Sequence, residues 1–212
     1  MSAPYSLKGS HYRSEFLYTA LTLLKLGPGY HLRYRIAARY IHPKESVIDV
    51  CSGSGGLKYF IPKDCPYTAV EASPEFSAIL QKKGLNHITC DLHAGLPHPA
   101  LSSDVIVMLI SLCQFRNASA GFLLESFKKM AKRVVIIEDV LSCPRSERSL
   151  VYRAINYLCA TDYCLPFSLY TRLEFTELMR NHGYACEDAG GRYMVGSYGY
   201  DPEQGEISYQ KE

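Results

Sequence analysis

The sequence lacks the features that mark several large classes of protein. It has no excess of charge of one sign: 23 basic residues face 21 acidic ones, a net charge of +2. Composition therefore gives no reason to expect a nucleic-acid or anionic-membrane binder. It has no long apolar run. The longest, residues 105–113 (VIVMLISLC), is about half a membrane span and is interrupted by Ser111. The opening stretch, MSAPYSLKGSHYRSE, has no apolar core of the signal-peptide kind. Repeats, low-complexity stretches and linkers are absent too. The eight cysteines include no C-x-x-C pair and no companion histidine pair at zinc spacing, which speaks against a structural zinc site. Cys51, Cys90 and Cys113 fall at the ends of apolar runs, where a reduced thiol behaves as a small hydrophobe. The expected compartment is reducing and cytoplasmic. What is present is a 212-residue chain, 47% hydrophobic and 21% charged. That is one globular domain, too short for two with separate cores.

The pattern along the chain alternates. Phe16, Leu17, Ala20, Leu21 and Leu24 recur at helical spacing; Gly27-Pro28-Gly29 breaks the pattern, and a second helix runs to about Tyr40. Strands are expected at 46–51 (SVIDVC), 67–72 (YTAVEA), 86–90, 104–110 (DVIVMLI) and 133–138 (RVVIIE). Helices are expected from Gly56 to Ile61, cut short by Pro62, and at 74–83, 120–130 and 173–182. Pro74 opens the second of these and Gly84 lies just beyond its end, the usual asymmetry of helix termini. Residues 144–170 are helical and rich in tyrosine, and 184–187 with 192–198 form a closing pair of strands antiparallel to each other. Strands apolar throughout, alternating with helices, indicate an α/β protein whose parallel sheet is covered on both faces.

The informative segment is 49–56, DVCSGSGG. It follows a buried strand and opens a helix, so its glycines let the backbone turn sharply and come close to a ligand, while free N–H groups point outward. Glu71 ends the second strand, 16 residues after Gly55, near the spacing at which an acid meets ribose hydroxyls. Asp91 ends the third strand, where an acid and the Leu92 N–H suit the amine and ring nitrogen of adenine. Asp49, at the end of the first strand, can hold loop amides or meet an ammonium group. All of these fall on the carboxyl edge, where open α/β sheets bind ligands. The dinucleotide pattern G-x-G-x-x-G would need a small residue where Lys58 stands, and the Walker pattern is absent. The expected ligand has ribose and adenine but no pyrophosphate.

These residues resemble the class I S-adenosylmethionine (SAM)-dependent methyltransferases. DVCSGSG at 49–55 is similar to the family's first motif, D-x-G-x-G-x-G, and Glu71 to its acidic second-strand end. CDLHAGLP (90–97), SSDVIVMLISLCQF (102–115), RVVIIEDV (133–140) and LYTRLEFTELMRNHGY (169–184) resemble its later segments, and the likeness spans about residues 30–198. It implies a Rossmann-like fold: a mostly parallel seven-stranded sheet with helices on both faces and an antiparallel last strand. It also implies one methyltransferase domain over 1–212, with an N-terminal helical cover (1–45), a SAM-binding core (46–140), a substrate-covering segment (141–172) and a C-terminal helix with closing strands (173–212). SAM would be the cofactor and S-adenosylhomocysteine (SAH) the product. Asp49, Ser52, Gly53, Ser54 and Gly55 would surround the methionine part. Glu71, with Ala72 beside it, would bind the ribose, Asp91 with Leu92 the adenine, and Ile110 and Ser111 would flank the sulfonium. Cys51 stands where the motif usually has its first glycine, which resembles the ubiquinone/menaquinone-biosynthesis methyltransferases.

Transfer from a sulfonium is an in-line displacement, so the protein chiefly aligns the reactants and excludes water, and no universal catalytic residue is expected. The Asn/Asp-Pro-Pro-Tyr motif of amino-methylating nucleic-acid enzymes is missing after the fourth strand, as are the metal-binding acids of the catechol type. Glu138-Asp139 reads as structural or solvated, and no metal is expected. Candidates for base or hydrogen-bond donor are His11, Tyr12 and Tyr170; His31, Tyr152, Tyr157, Tyr163 and Arg172 are further cover residues. His42, His87, His93, His98 and His182 read as surface or loop residues. The aromatic content favours a small apolar or aromatic substrate, and a homodimer is compatible with the sequence. The alternative is a SAM- or nucleotide-binding regulatory or partner subunit without methyl transfer.

Overall fold

Buried parallel strands read as unbroken apolar runs, because helices cover both faces of the sheet. The run Val105-Ile106-Val107-Met108 is the clearest case, with none of its four side chains exposed. In the computed structural model, which describes residues 30–96, 102–116, 119–140 and 169–200 together with 19, 20 and 23, it forms the middle of a central strand. The described elements are α1 (Leu32–Ala38), β1 (Val47–Val50), β2 (Tyr67–Glu71), α2 (Pro74–Lys82), β3 (His87–Thr89), β4 (Ser103–Leu109), α3 (Ala120–Met130), β5 (Ala131–Asp139), α4 (Arg172–Asn181), β6 (Ala185–Asp188) and β7 (Tyr193–Tyr198).

The seven strands form one sheet in the order β3-β2-β1-β4-β5-β7-β6. β1 pairs in parallel with β2 and β4, β2 with β3, and β4 with β5. β7 is antiparallel to both neighbours, as expected for the closing strand. The chain moves outward from β1 to β3 and then returns to place β4 on β1's other side. That reversal opens a crevice at the carboxyl ends of β1 and β4, where this class of sheet takes its ligands.

Strand alternation divides the core. Ile106, Met108 and Ile136 meet Leu123, Leu124 and Phe127 of α3 and Phe175 and Met179 of α4. Val105, Val107 and Val135 meet Tyr34, Ile36 and Ala37 of α1, Leu57, and Leu80 of α2. Each of these fully buried large side chains contributes about 1.5–3 kcal/mol relative to exposure. Two helix starts are set locally. Ser73 Oγ accepts the Phe76 amide at 3.2 Å ahead of Pro74, and Thr171 with Glu174 forms a reciprocal capping box.

The helix expected from Gly56 to Ile61 is one turn of 3-10 helix, Gly56–Tyr59. Gly55 precedes it in a left-handed conformation without a side-chain cap, and Pro62 follows closely, so no α-helical hydrogen-bond ladder has room to propagate. Residues 19, 20 and 23 are helical, in keeping with the expected N-terminal helix. Most of that helix, most of the covers expected at 1–45 and 141–172, and His11, Tyr12, His98, Tyr152, Tyr157 and Tyr163 lie outside the described residues.

Candidate active site

The carboxyl ends of β3, β2, β1 and β4 lie side by side, which aligns Asp91, Glu71, the 51–55 loop and Ile110-Ser111 along one edge. Two non-glycine residues there are held in the left-handed region: Cys51 (φ 56°) after β1 and Ile110 (φ 52°) after β4. Such a residue costs of order 1–2 kcal/mol, and strain of this kind concentrates at functional sites. The Cys51 thiol packs against the apolar core beside the strand end. Burial, reinforced by the Glu71 and Asp49 charges, pushes that thiol well above its ordinary range, so it is not a reactive nucleophile. The Ile110 amide donates to Ile137 O at 2.7 Å, and Ser111 Oγ donates to Leu109 O at 3.0 Å.

The glycines of the loop answer different demands. A Cβ on Gly55 would stand 2.7 Å from Leu85 Cδ1 and 2.8 Å from Leu80 Cδ2, and one on Gly56 would stand 2.7 Å from Tyr34 Cζ. Those two are glycine because α1 and α2 pack against them. Gly53 is different: its φ is 56°, and a Cβ there would meet nothing within 4 Å. Beside it, Ser52 Oγ is buried with no hydrogen-bond partner. Ser54 O takes the Lys83 ammonium at 3.0 Å.

The acids divide the work in a way the sequence did not show. Glu71, buried, accepts the Gly53 amide on one oxygen (2.7 Å) and the Ser73 amide on the other (2.9 Å). Burial raises its pKa, opposed by those amides and by that of Ala72. Glu71 therefore holds the glycine loop. Asp49 does not: alternation along β1 points it to the face of Val47 and α1, where it accepts the Tyr67 hydroxyl at 2.6 Å. Burial pushes the Asp49 carboxyl up to about 7; the Tyr67 bond opposes this, the Glu71 charge adds to it, and the Arg33 charge opposes it.

Arg33 was not singled out from the sequence. It is buried on α1, donates to Tyr34 Oη at 2.8 Å, and lies over the rings of Tyr30 (4.5 Å) and Tyr34 (4.7 Å). The signal was available: the buried positions of this stretch include 30, 33, 34, 37 and 41, so an arginine interrupts an otherwise apolar stripe. At the other end of the edge, Asp91 Oδ1 accepts the His93 amide at 2.9 Å, Leu92 is buried, and the His93 ring stacks on Phe115 at 4.3 Å.

Glu138 and Asp139 have structural partners, as expected. Glu138 takes the Cys113 and Asp139 amides at 3.2 Å each, and Asp139 pairs with Arg192. Tyr170 packs on Phe175 beneath the Arg116 guanidinium; burial, aided by the Glu138 charge, holds its phenol well above the ordinary range. Of the two expected roles, that favours hydrogen-bond donor over base near neutral pH. His182, expected at the surface or in a loop, lies in the turn after α4, half-buried, and bonds Glu125 through Nδ1 at 2.9 Å, joining that turn to α3. Among the described residues no cluster of three or more His, Cys, Asp or Glu could hold a metal, and no helix is long and apolar enough to cross a membrane.

No family model and no curated protein matches the sequence. Solved structures do match the fold. A SAM-dependent methyltransferase from Aquifex aeolicus superposes with a TM-score of 0.57 at 15% identity, over 84% of this chain and 96% of that one. The fold is that of the class I SAM-dependent methyltransferases. A possible histamine N-methyltransferase from Thermotoga maritima superposes on this methyltransferase fold with a TM-score of 0.62 at 14% identity, over 88% and 96% of the two chains. A complex of DhpI with SAH gives 0.61 at 16% identity, over 89% and 92%. None of these three is described as a quinone-biosynthesis enzyme, the branch that Cys51 resembled. The left-handed backbone at Cys51 explains why the motif commonly has glycine at that place.

Proposed function

We propose that this chain is a SAM-dependent methyltransferase acting on an O, N or C atom of a small apolar or aromatic molecule in the cytoplasm. One observation carries the reading: the loop after β1 presents an unpartnered buried hydroxyl, Ser52 Oγ, beside Gly53, whose side is open and whose amide is held by the buried carboxylate of Glu71. A buried hydroxyl without a partner is uncommon, and a ligand group is one explanation for it. This donor set fits SAM. When bound, SAM supplies a methyl group on a sulfonium that is already a good leaving group.

The residues of the chain would then act by binding and orientation. Asp49 in its ionised form accepts hydrogen bonds from the ammonium of the methionine part. Arg33, whose charge reaches Asp49 from α1, offers a guanidinium to the carboxylate of the same part. Glu71 has one amide bond on each oxygen, and a carboxylate has about four acceptor sites, which leaves capacity for two ribose hydroxyls. Asp91 and the Leu92 N–H read the adenine, with the His93–Phe115 stack as an apolar wall. Ile110, held by Ile137, and Ser111, whose hydroxyl bonds Leu109 O, would flank the reacting centre.

Calorimetric titration with SAM and separately with SAH tests the reading, using Glu71→Ala and Asp91→Ala as controls. Micromolar binding that both substitutions abolish is expected. Folded protein that binds neither ligand would refute it.

A further inference from the structure

We propose that the Tyr170 hydroxyl is a hydrogen-bond donor kept for the methyl acceptor, and that this acceptor carries a hydroxyl or amine on an aromatic or apolar body. The inference rests on the methyltransferase reading and deepens it.

Tyr170 is 4% exposed, and its hydroxyl is buried without any hydrogen-bond partner. Other buried tyrosines in the molecule are satisfied: Tyr184 donates to Leu124 O at 2.8 Å, and Tyr67 to Asp49 at 2.6 Å. An orphaned buried hydroxyl costs roughly 1–3 kcal/mol and is seldom retained without a reason. Here the surroundings fix the side chain rather than let it relax toward a partner. Arg116 lies over the ring at 4.9 Å and donates to Leu169 O at 2.6 Å, so it holds both the ring and the backbone before it. Phe175 meets the ring edge to face at 6.1 Å between centroids, and the capping box starting at Thr171 fixes the backbone after it.

The place matches a role at the reacting end. Tyr170 packs in one cluster with Cys113, Phe115 and Val140, which follow β4 and β5 at their carboxyl ends. Cys113 is two residues beyond Ser111 and bonds Glu138 through its amide. The side chain thus packs with residues that follow the carboxyl ends of β4 and β5, in the field of a carboxylate and among apolar neighbours. Its phenol keeps its proton at neutral pH, so it donates and does not act as a base. A group that accepts from Tyr170 while lying near a carboxylate is best served by a proton of its own. Hydroxyls and amines have one; ethers and ketones do not.

The test compares wild type, Tyr170→Phe and Tyr184→Phe in the full-length protein. SAH affinity should agree within about twofold in all three, because neither tyrosine belongs to the cofactor set. Tyr184→Phe, which breaks a satisfied bond, should lower the unfolding temperature by about 2–4 °C. Tyr170→Phe should leave it unchanged or raise it. The SAH complex is then titrated with phenol and with toluene, followed by the shift in unfolding temperature. Wild type should prefer phenol about tenfold, and Tyr170→Phe should show no preference. A fall in unfolding temperature for Tyr170→Phe as large as for Tyr184→Phe would overturn the inference. So would equal response to phenol and toluene in wild type, or a preference that survives the substitution. Failure of wild type to bind SAH would instead overturn the methyltransferase reading, and this inference with it.

Discussion

Cofactor affinity should rise with pH in the range where Asp49 ionises. Its carboxyl is pushed up to about 7, chiefly by burial, with the Glu71 charge adding and Tyr67 and Arg33 opposing. On the proposed reading the ionised form would hold the ammonium of SAM. A carboxyl of that pKa is about one-tenth ionised a unit below it and about nine-tenths ionised a unit above it. Between about pH 6 and pH 8 the dissociation constant should therefore fall about tenfold, or about 1.4 kcal/mol. Near pH 7 binding should release about half a proton, visible as a heat that varies with the ionisation enthalpy of the buffer. Tyr67→Phe removes the bond that favours the charged form, so the whole profile should move to higher pH; Asp49→Asn should weaken binding and flatten it. The sign for stability is opposite. Because the folded pKa lies above the ordinary value of 3.8, the folded state holds more protons than the unfolded one between those values. Stability of the ligand-free protein should then decrease as pH rises from about 4 to about 7, and Glu71, also raised, adds in the same direction. Calorimetry at several pH values measures the first effect. An affinity for SAM that stays flat across this window would refute the reasoning.

Other substitutions separate the parts of the site. Arg33→Met should weaken SAM and SAH by about tenfold while leaving adenosine, which has no carboxylate, unaffected; an equal loss for all three ligands would show that Arg33 only packs. Gly55→Ala should lower the unfolding temperature, since the new methyl would press on Leu80 and Leu85, whereas Gly53→Ala should cost only the backbone strain, about 1 kcal/mol, and still reduce SAM binding. Cys51→Gly relieves a left-handed non-glycine residue but removes a thiol packed on the core, so the unfolding temperature without ligand should change by less than about 2 °C, whereas Cys51→Ala, which keeps the strain, should lower it.

What could be read from the sequence, and what could not, divides along physical lines. The strands were legible because a parallel sheet buried on both faces demands continuous apolar runs, and Val105–Met108 or Val134–Ile137 have no other soluble use. The acids at strand ends were legible because the carboxyl edge is where such sheets place polar groups, so Glu71 and Asp91 could be found by position alone. Their contacts could not. That Asp49 turns to Tyr67 and Arg33 while Glu71 holds the loop depends on which face each side chain occupies and on which helix lies over it. The 3-10 turn after the loop is a balance between a propensity for helix and the room left before Pro62, and local pattern cannot weigh it. Tyr170 marks the limit most sharply. The sequence offers it as a candidate by its place alone, and only in three dimensions does it become a rigidly held hydroxyl with nothing to bind. The features hardest to see in the sequence are thus those where local rules are broken: a buried arginine in an apolar stripe, the left-handed backbone of Cys51 and Ile110 at the strand ends, and the unpartnered buried hydroxyls of Ser52 and Tyr170. On the proposed reading these are the places where the chain gives up some stability to keep a site ready.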